Sequence, residues 1–278
     1  MLARFPPPMQ FLLWSVRVGM SYLALAAGFC SLIWLSQQLE AVPQVRLKAW
    51  EAAPLVVVDA GHGGHDGGAV AGGAIEKNLA LDLALQLRQE LLRLGLRVQM
   101  TRETDVFLPL EERAALADRV QAAAFVSLHL NTSAAPEVSG IETYYTERKS
   151  LSVVRALQTR LGLTSPTVSD QRGRWLADHL QRHSCLTTQA ENRGIKERNY
   201  AVVSQTQVPA ALIECGFLTH ATEASRLKQA AYQARLITGI AQGLAEFLKI
   251  QQAEPLRGVN ASGEGPDKPR ETETSTQP

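Results

Sequence analysis

The sequence predicts an α/β fold: a three-layer α/β/α single domain with a central sheet that is mostly parallel or mixed. Short apolar runs of strand length alternate with longer stretches whose leucines recur at helical spacing. Polar side chains suited to chemistry fall at the ends of the apolar runs, where open sheets of this class gather functional residues in loops.

The chain has 278 residues, 45% of them hydrophobic and 20% charged, with a formal net charge of +1. These values suit one globular domain with extra length at its ends, and the charge balance does not point to nucleic acid. A domain of about 200 residues supports a core without a disulfide framework. Cys30 lies in an apolar N-terminal run, while Cys185 and Cys215 can form either a bridge in an oxidising compartment or two buried thiols.

Residues 1–17 read as a cytoplasmic N-terminus. From Val18 to Leu35 the run VGMSYLALAAGFCSLIWL carries no charge and is long enough for a bilayer core, which needs roughly 17–25 residues. Arg4 and Arg17 precede it, which orients its N-terminus toward the cytoplasm, and Tyr22 and Trp34 suit the two interfaces. The run reads as an uncleaved signal-anchor or as the apolar region of a cleaved signal peptide, and either exports the domain behind it. Residues 36–53 form a linker. Residues 251–278, rich in Pro, Gly, Ser, Thr and charge, form a disordered tail.

The folded unit therefore spans residues 54–250. Leu55–Asp59 (LVVVD) reads as a buried strand leading into glycines, and Asn78–Leu94 as a helix closed by Gly95. Arg97–Thr101 is a second strand, Leu110–Ala123 a helix, and Ala124–Leu130 and Gly140–Tyr145 further strands. A helix over Arg174–Gln189, strands at Tyr200–Val203 and Ala210–Cys215, and a closing helix over Ala230–Ile250 complete the unit.

His62 follows the first strand, Glu76 opens the first long helix, His129 lies near the end of a buried strand and Glu214 ends the strand ALIEC. A catalytic zinc commonly takes three ligands from His and Asp/Glu and keeps a fourth position open. His62, Glu76 and His129 can supply that set. On spacing alone they form no compact motif, and a lone strand histidine is more often a satisfied core or surface residue. The glycine-rich stretch GHGGHDGG matches neither common phosphate-binding spacing.

The residue strings say more. In order, VVVDAGHGGHDGGA, IEKNLALDLALQL, MTRETDVFLPLEERAALA, FVSLHLN, GIETYY, ENRGIKERNYAVV and VPAALIECGFLTHATE resemble the zinc-dependent N-acetylmuramoyl-L-alanine amidases, including the bacterial cell-separation amidases. The resemblance implies zinc ligation by His62, Glu76 and His129 and an acid/base role for Glu214. It also implies a peptidoglycan substrate cut between the lactyl group and the stem peptide, outside the cytoplasm, with the domain held at the inner membrane if the anchor stays. Cys215 neighbours Glu214, but alternation along a strand turns it away from the site. Asp59 either orients the His62 loop or caps a turn, and Arg102, Arg113 and Arg193 are either carboxylate clamps or structural ion pairs. His65 reads as solvent-facing, and Asn131 as a candidate substrate contact. Residues 146–171 exceed a minimal domain and carry a helical stripe (Leu151, Val154, Leu157, Leu161), read as a regulatory insert answering to an activator protein or as a packed surface helix. Competing functions are another zinc peptidase of the wall and a non-enzymatic wall or divisome scaffold.

Overall fold

In a computed structural model, residues 20, 27–31, 34, 50–149 and 169–253 are described. The chain divides into Met1–Ala53 and Pro54–Pro278. No helix among the described residues is long and apolar enough to cross a membrane. Most of the apolar run at 18–35, the helical stripe within 146–171 and the tail beyond 253 lie outside the described residues.

Strand β1 (Leu55–Ala60) is followed by a small hairpin, β2 (Val70–Ala71) with β3 (Ala74–Ile75), then helix α1 (Glu76–Arg93) and β4 (Arg97–Met100). Helix α2 (Leu110–Arg119), β5 (Ala124–Asn131) and β6 (Ile141–Tyr145) come next, then the two-residue strands β7 (Arg148–Lys149) and β8 (Ser169–Asp170). Helix α3 (Arg172–Thr188), β9 (Asn192–Glu197), α4 (Ala201–Ser204), β10 (Ala210–Phe217), α5 (Ala221–Leu227) and α6 (Ala230–Ala253) close the domain.

The main sheet has six strands in the order β4-β1-β5-β10-β6-β9. Every neighbouring pair is parallel except β10 with β6. The expected α/β class and mostly parallel sheet are what the structure shows. Alternation along the strands sorts side chains onto two faces. Val56, Val58, Ala60, Val126, Leu128, Ile213 and Cys215 join the larger core with Leu83 and Leu87 of α1, Leu176 and Leu180 of α3, and Leu236 and Leu244 of α6. Val57, Phe125, Tyr144 and Leu212 turn the other way, into a smaller cluster with Ala117 of α2 and Val202 and Val203 of α4. The strand residues Asp59, Ser127, His129, Glu142 and Glu214 fall on this second face.

Two local expectations need correction, and one strand was not expected. The strand expected at Tyr200–Val203 is instead the single helical turn α4, because Val202 and Val203 bury against the smaller core from a turn rather than from a ladder. Strand β9 is not apparent in the sequence because it is an edge strand, NRGIKE, whose polar, half-exposed residues lack apolar alternation. Helix α2 stops at Arg119, short of Ala123, at a turn where Gln121 takes a positive φ of 49°. The three cysteines are free. Cys215 is fully buried on the larger-core face, as alternation requires, and burial pushes its thiol well above the usual range.

Helices α3 and α6 pack closely through Gly243, where an added Cβ would lie 2.5 Å from the His179 carbonyl oxygen. Gly243→Ala gains about 1 kcal/mol of helix propensity but overpacks a backbone contact, at a cost of about 1–3 kcal/mol. The variant is expected to be destabilised by up to about 2 kcal/mol in urea titration, against the sign that propensity alone dictates.

Candidate metal centre

The main sheet delivers its functional groups at the C-terminal ends of β1, β5 and β10. Asp59, near the end of β1, has no exposure to solvent. Its Oδ1 accepts from Thr101 Oγ1 at 2.6 Å and from Arg113 Nη1 at 2.9 Å, and its Oδ2 from Ser127 Oγ at 2.6 Å. The remaining Arg113 donors bind backbone carbonyls: Ala60 O at 2.6 Å, His62 O at 2.7 Å and Leu108 O at 3.0 Å. Arg102 does the same for Ala60 O, Gly61 O and Lys77 O, at 3.0, 2.7 and 2.8 Å. Both arginines are buried. Neither is a clamp for substrate; they fasten the His62 loop to the sheet. That fastening is what a strained residue requires, since His62 sits at φ 58° without being glycine.

Glu76 reaches the same place from the other side. Its backbone N–H donates to Ala69 O at 2.8 Å and its Oε2 accepts from Ala69 N at 2.8 Å, so the β2–β3 hairpin closes on it. Only glycine fits at 68, at φ 63°, because a Cβ there would lie 2.5 Å from Glu76 Oε2 and 2.6 Å from His62 Cδ2.

His62, Glu76 and His129 converge, with one potential ligand atom from each lying within 4.8 Å of the others. Glu76 Oε1 lies 3.0 Å from His62 Nε2 and 2.9 Å from His129 Nδ1. His62 Nδ1 is 2.8 Å from Asp66 Oδ2, which fixes the ring so that Nε2 faces inward. Burial opposes a charge on Glu76, yet hydrogen bonds from His129 and His62 hold its carboxyl far below the usual carboxylate range. A permanently ionised carboxylate beside two imidazoles is a donor set that can hold a divalent cation. Ligands of a tetrahedral ion at about 2.0 Å stand about 3.3 Å apart, close to the observed separations, so the residues fit such an ion.

Glu214 pairs in register with His129 of β5 and with Glu142 of β6, so the three side chains share one face of the sheet. Although part of Glu214 reaches the surface, its Oε2 is sealed and is an orphan acceptor among the described residues. Burial, with the nearby Glu76 and Glu142 carboxylates, pushes its pKa up to about 7. Cys215 next to it is not aimed at this space.

Glu142 is a site residue that sequence reasoning misses. It is 3% exposed and accepts from Asn131 Nδ2 at 2.8 Å, Arg193 Nε at 3.0 Å, and also Tyr144 and Lys196. Its place in the string GIETYY is the one signal that could have found it. Asn131, a candidate substrate contact, is committed to Glu142. His65 is exposed and stacks against Phe107, with ring centroids 4.2 Å apart.

Residues 56–246 match the family model described as N-acetylmuramoyl-L-alanine amidase. Over 194 residues the chain is 29% identical to the N-acetylmuramoyl-L-alanine amidase LytC of Bacillus subtilis, covering 70% of this chain but 35% of that one. The catalytic domain of the amidase CwlV from Bacillus (Paenibacillus) polymyxa var. colistinus superimposes with a TM-score of 0.60 at 32% identity, covering 71% of this chain and 99% of that one. The CwlD amidase of Clostridioides difficile, solved in complex with the GerS lipoprotein, aligns with a TM-score of 0.61 at 26% identity over 71% of this chain and 99% of that one.

Removing one member of a buried ion pair strands the other. Asp59→Ala is expected to cost about 3–5 kcal/mol, whereas Thr101→Val, which deletes one neutral donor, is expected to cost about 1 kcal/mol. Urea unfolding of the two variants beside the wild type measures both.

Proposed function

The chain belongs to the N-acetylmuramoyl-L-alanine amidase family, and from that premise we propose that it hydrolyses the amide between the lactyl group of N-acetylmuramic acid and the L-alanine of the peptidoglycan stem peptide, using one zinc ion. His62, Glu76 and His129 would hold the ion, and Glu214 is the catalytic acid/base. Bound there, zinc supplies a Lewis acid that polarises the amide carbonyl and lowers the pKa of water. Glu214 takes the proton of the attacking water and returns it to the alanine nitrogen, which leaves poorly as an anion. The observation that carries this reading is the sealed Oε2 of Glu214, without a partner among the described residues and in register with His129 of the ligand cluster. An acceptor left open in this way is costly unless a reacting group completes it. No acyl-enzyme is required, so Cys215 takes no part.

The place of action is the peptidoglycan, outside the cytoplasm, in wall remodelling or cell separation. Attachment to the inner membrane is supported by the uncharged run Val18–Leu35 and the arginines before it. An activator protein acting on residues 146–171 is supported by the extra length there and by the partnered structure of CwlD. Deleting residues 150–168 is then expected to raise hydrolysis measured without any activator; unchanged or lower activity in a folded deletion variant would count against the idea.

Mass spectrometry of digested peptidoglycan tests the reaction. The wild type is expected to release intact stem peptides with a free alanine amine. Glu214→Gln should lower the rate by about 10²–10⁴-fold while zinc stoichiometry stays the same, and His129→Ala should lose the metal. Fragments cut within the stem would show a peptidase instead. Undiminished peptidoglycan binding without cleavage, in wild type and Glu214→Gln alike, would show a scaffold.

A further inference from the structure

The cations around the site divide into two kinds. Arg102 and Arg113 are consumed by carbonyls of the His62 loop, and Lys77 by Asp105 at 2.6 Å and the Gly64 carbonyl at 2.8 Å. Arg193 and Lys196 differ. Both lie on β9, at the sheet edge beyond β6, and both bind the same Oε2 of Glu142. Glu142 Oε1 is already served by Asn131 and Tyr144. One carboxylate thus meets two cations and two neutral donors, which fills its roughly four acceptor sites; Arg193 Nη1 also lies 3.7 Å from Glu191 Oε1 and 3.4 Å from the Ser139 carbonyl oxygen, so the donors left over are Arg193 Nη2 and the remaining protons of Lys196.

Those donors are open and held in place. The side chains are 27% and 33% exposed. Arg193 lies over the Phe217 ring at 5.1 Å and Lys196 over Tyr144 at 5.8 Å, so aromatic faces back both cations. Among the described residues Nη2 of Arg193 makes no hydrogen bond, and Lys196 Nζ bonds only to Glu142. Because Glu142 is in register with Glu214, the ledge begins about one strand spacing, ~4.8 Å, from the acid/base. On the β4 side of the ligand cluster, Phe107 and Val106 are exposed, with His65 stacked on Phe107.

We propose that Arg193 and Lys196 form a subsite for a carboxylate of the substrate's stem peptide, carried by the residue that follows the alanine. This rests on the amidase reading above. One extended residue spans about 3.3–3.6 Å, so a carboxylate one or two residues past the scissile amide reaches a ledge one to two strand spacings away. The ledge also offsets the negative field of Glu214 and Glu142, which otherwise repels an acidic peptide. The stem peptide therefore runs toward β9 and the glycan toward Phe107.

Two synthetic muramyl peptides test this, identical except that the residue after alanine carries a free carboxylate in one and the corresponding amide in the other. The wild type is expected to favour the acid by about tenfold in kcat/KM. Arg193→Gln and Lys196→Gln should each bring the acid-to-amide ratio toward one, mainly through KM, while Arg193→Lys retains most of the preference. Each single variant leaves Glu142 one cation. If a variant fails to fold, the wild type still decides: raising salt to screen exposed charges should shrink the ratio. A wild-type ratio near one, or a ratio insensitive both to salt and to the folded variants, overturns the subsite. Failure to cut either peptide at the lactyl–alanine bond overturns the amidase reading instead.

Discussion

A carboxylate with no access to water must find its charge partners inside the protein, and Asp59 finds them on three other elements. Thr101 follows β4, Ser127 is in β5 and Arg113 is in α2. The pair Asp59–Arg113 is nearly solvent-free on both sides, so it forms only when those elements are already together. Once formed, Arg113 has donors to spare, and their geometry decides where the carbonyls of Ala60 and His62 lie. The strained His62 conformation, and with it the aim of its ring, is a downstream consequence of satisfying one buried charge.

Glu76 shows the same arrangement on the other flank. One oxygen closes the hairpin onto the helix start, and the other faces both histidines and also accepts from the Leu130 N–H at 3.1 Å. A side chain held by backbone on one side cannot drift when the histidines move, so the protein's own contacts organise the donor set. Glu223 plays a comparable part behind Glu214: it accepts from the N–H groups of Phe217 and Gly140, at 2.7 and 3.0 Å, and so ties the end of β10 to the start of β6.

How much of the molecule is legible in its sequence depends on how local each cause is. The apolar run at 55–58 and the leucines of α1 show their burial in their own spacing, and both stand where that spacing predicts. His62, Glu76, His129 and Glu214 are visible as polar residues at element ends, but their common meaning comes from resemblance, because convergence in space leaves no mark in spacing. The pairing of Asp59 with Arg113, 54 positions away, is equally invisible, which is why spacing alone cannot tell a substrate clamp from a structural brace. Strand β9 is an edge with a wet face and has no periodicity to detect. The turn at Ala201–Ser204 resembles a strand because two adjacent valines bury well in either geometry.

The strand that bears Glu214 lies in the middle of the sheet, between β5 and β6, yet it is the last strand of that sheet in chain order. Until residues 210–217 emerge, the sheet has a gap with two open edges, and the parallel side of that gap closes only across a long sequence separation. A nascent or truncated chain can already have His62, Glu76 and His129 and still lack Glu214. The complete residue set of the candidate site is therefore deferred to the end of folding, and the exposed edge of β5 is where an interrupted chain is most prone to pair with another copy of itself.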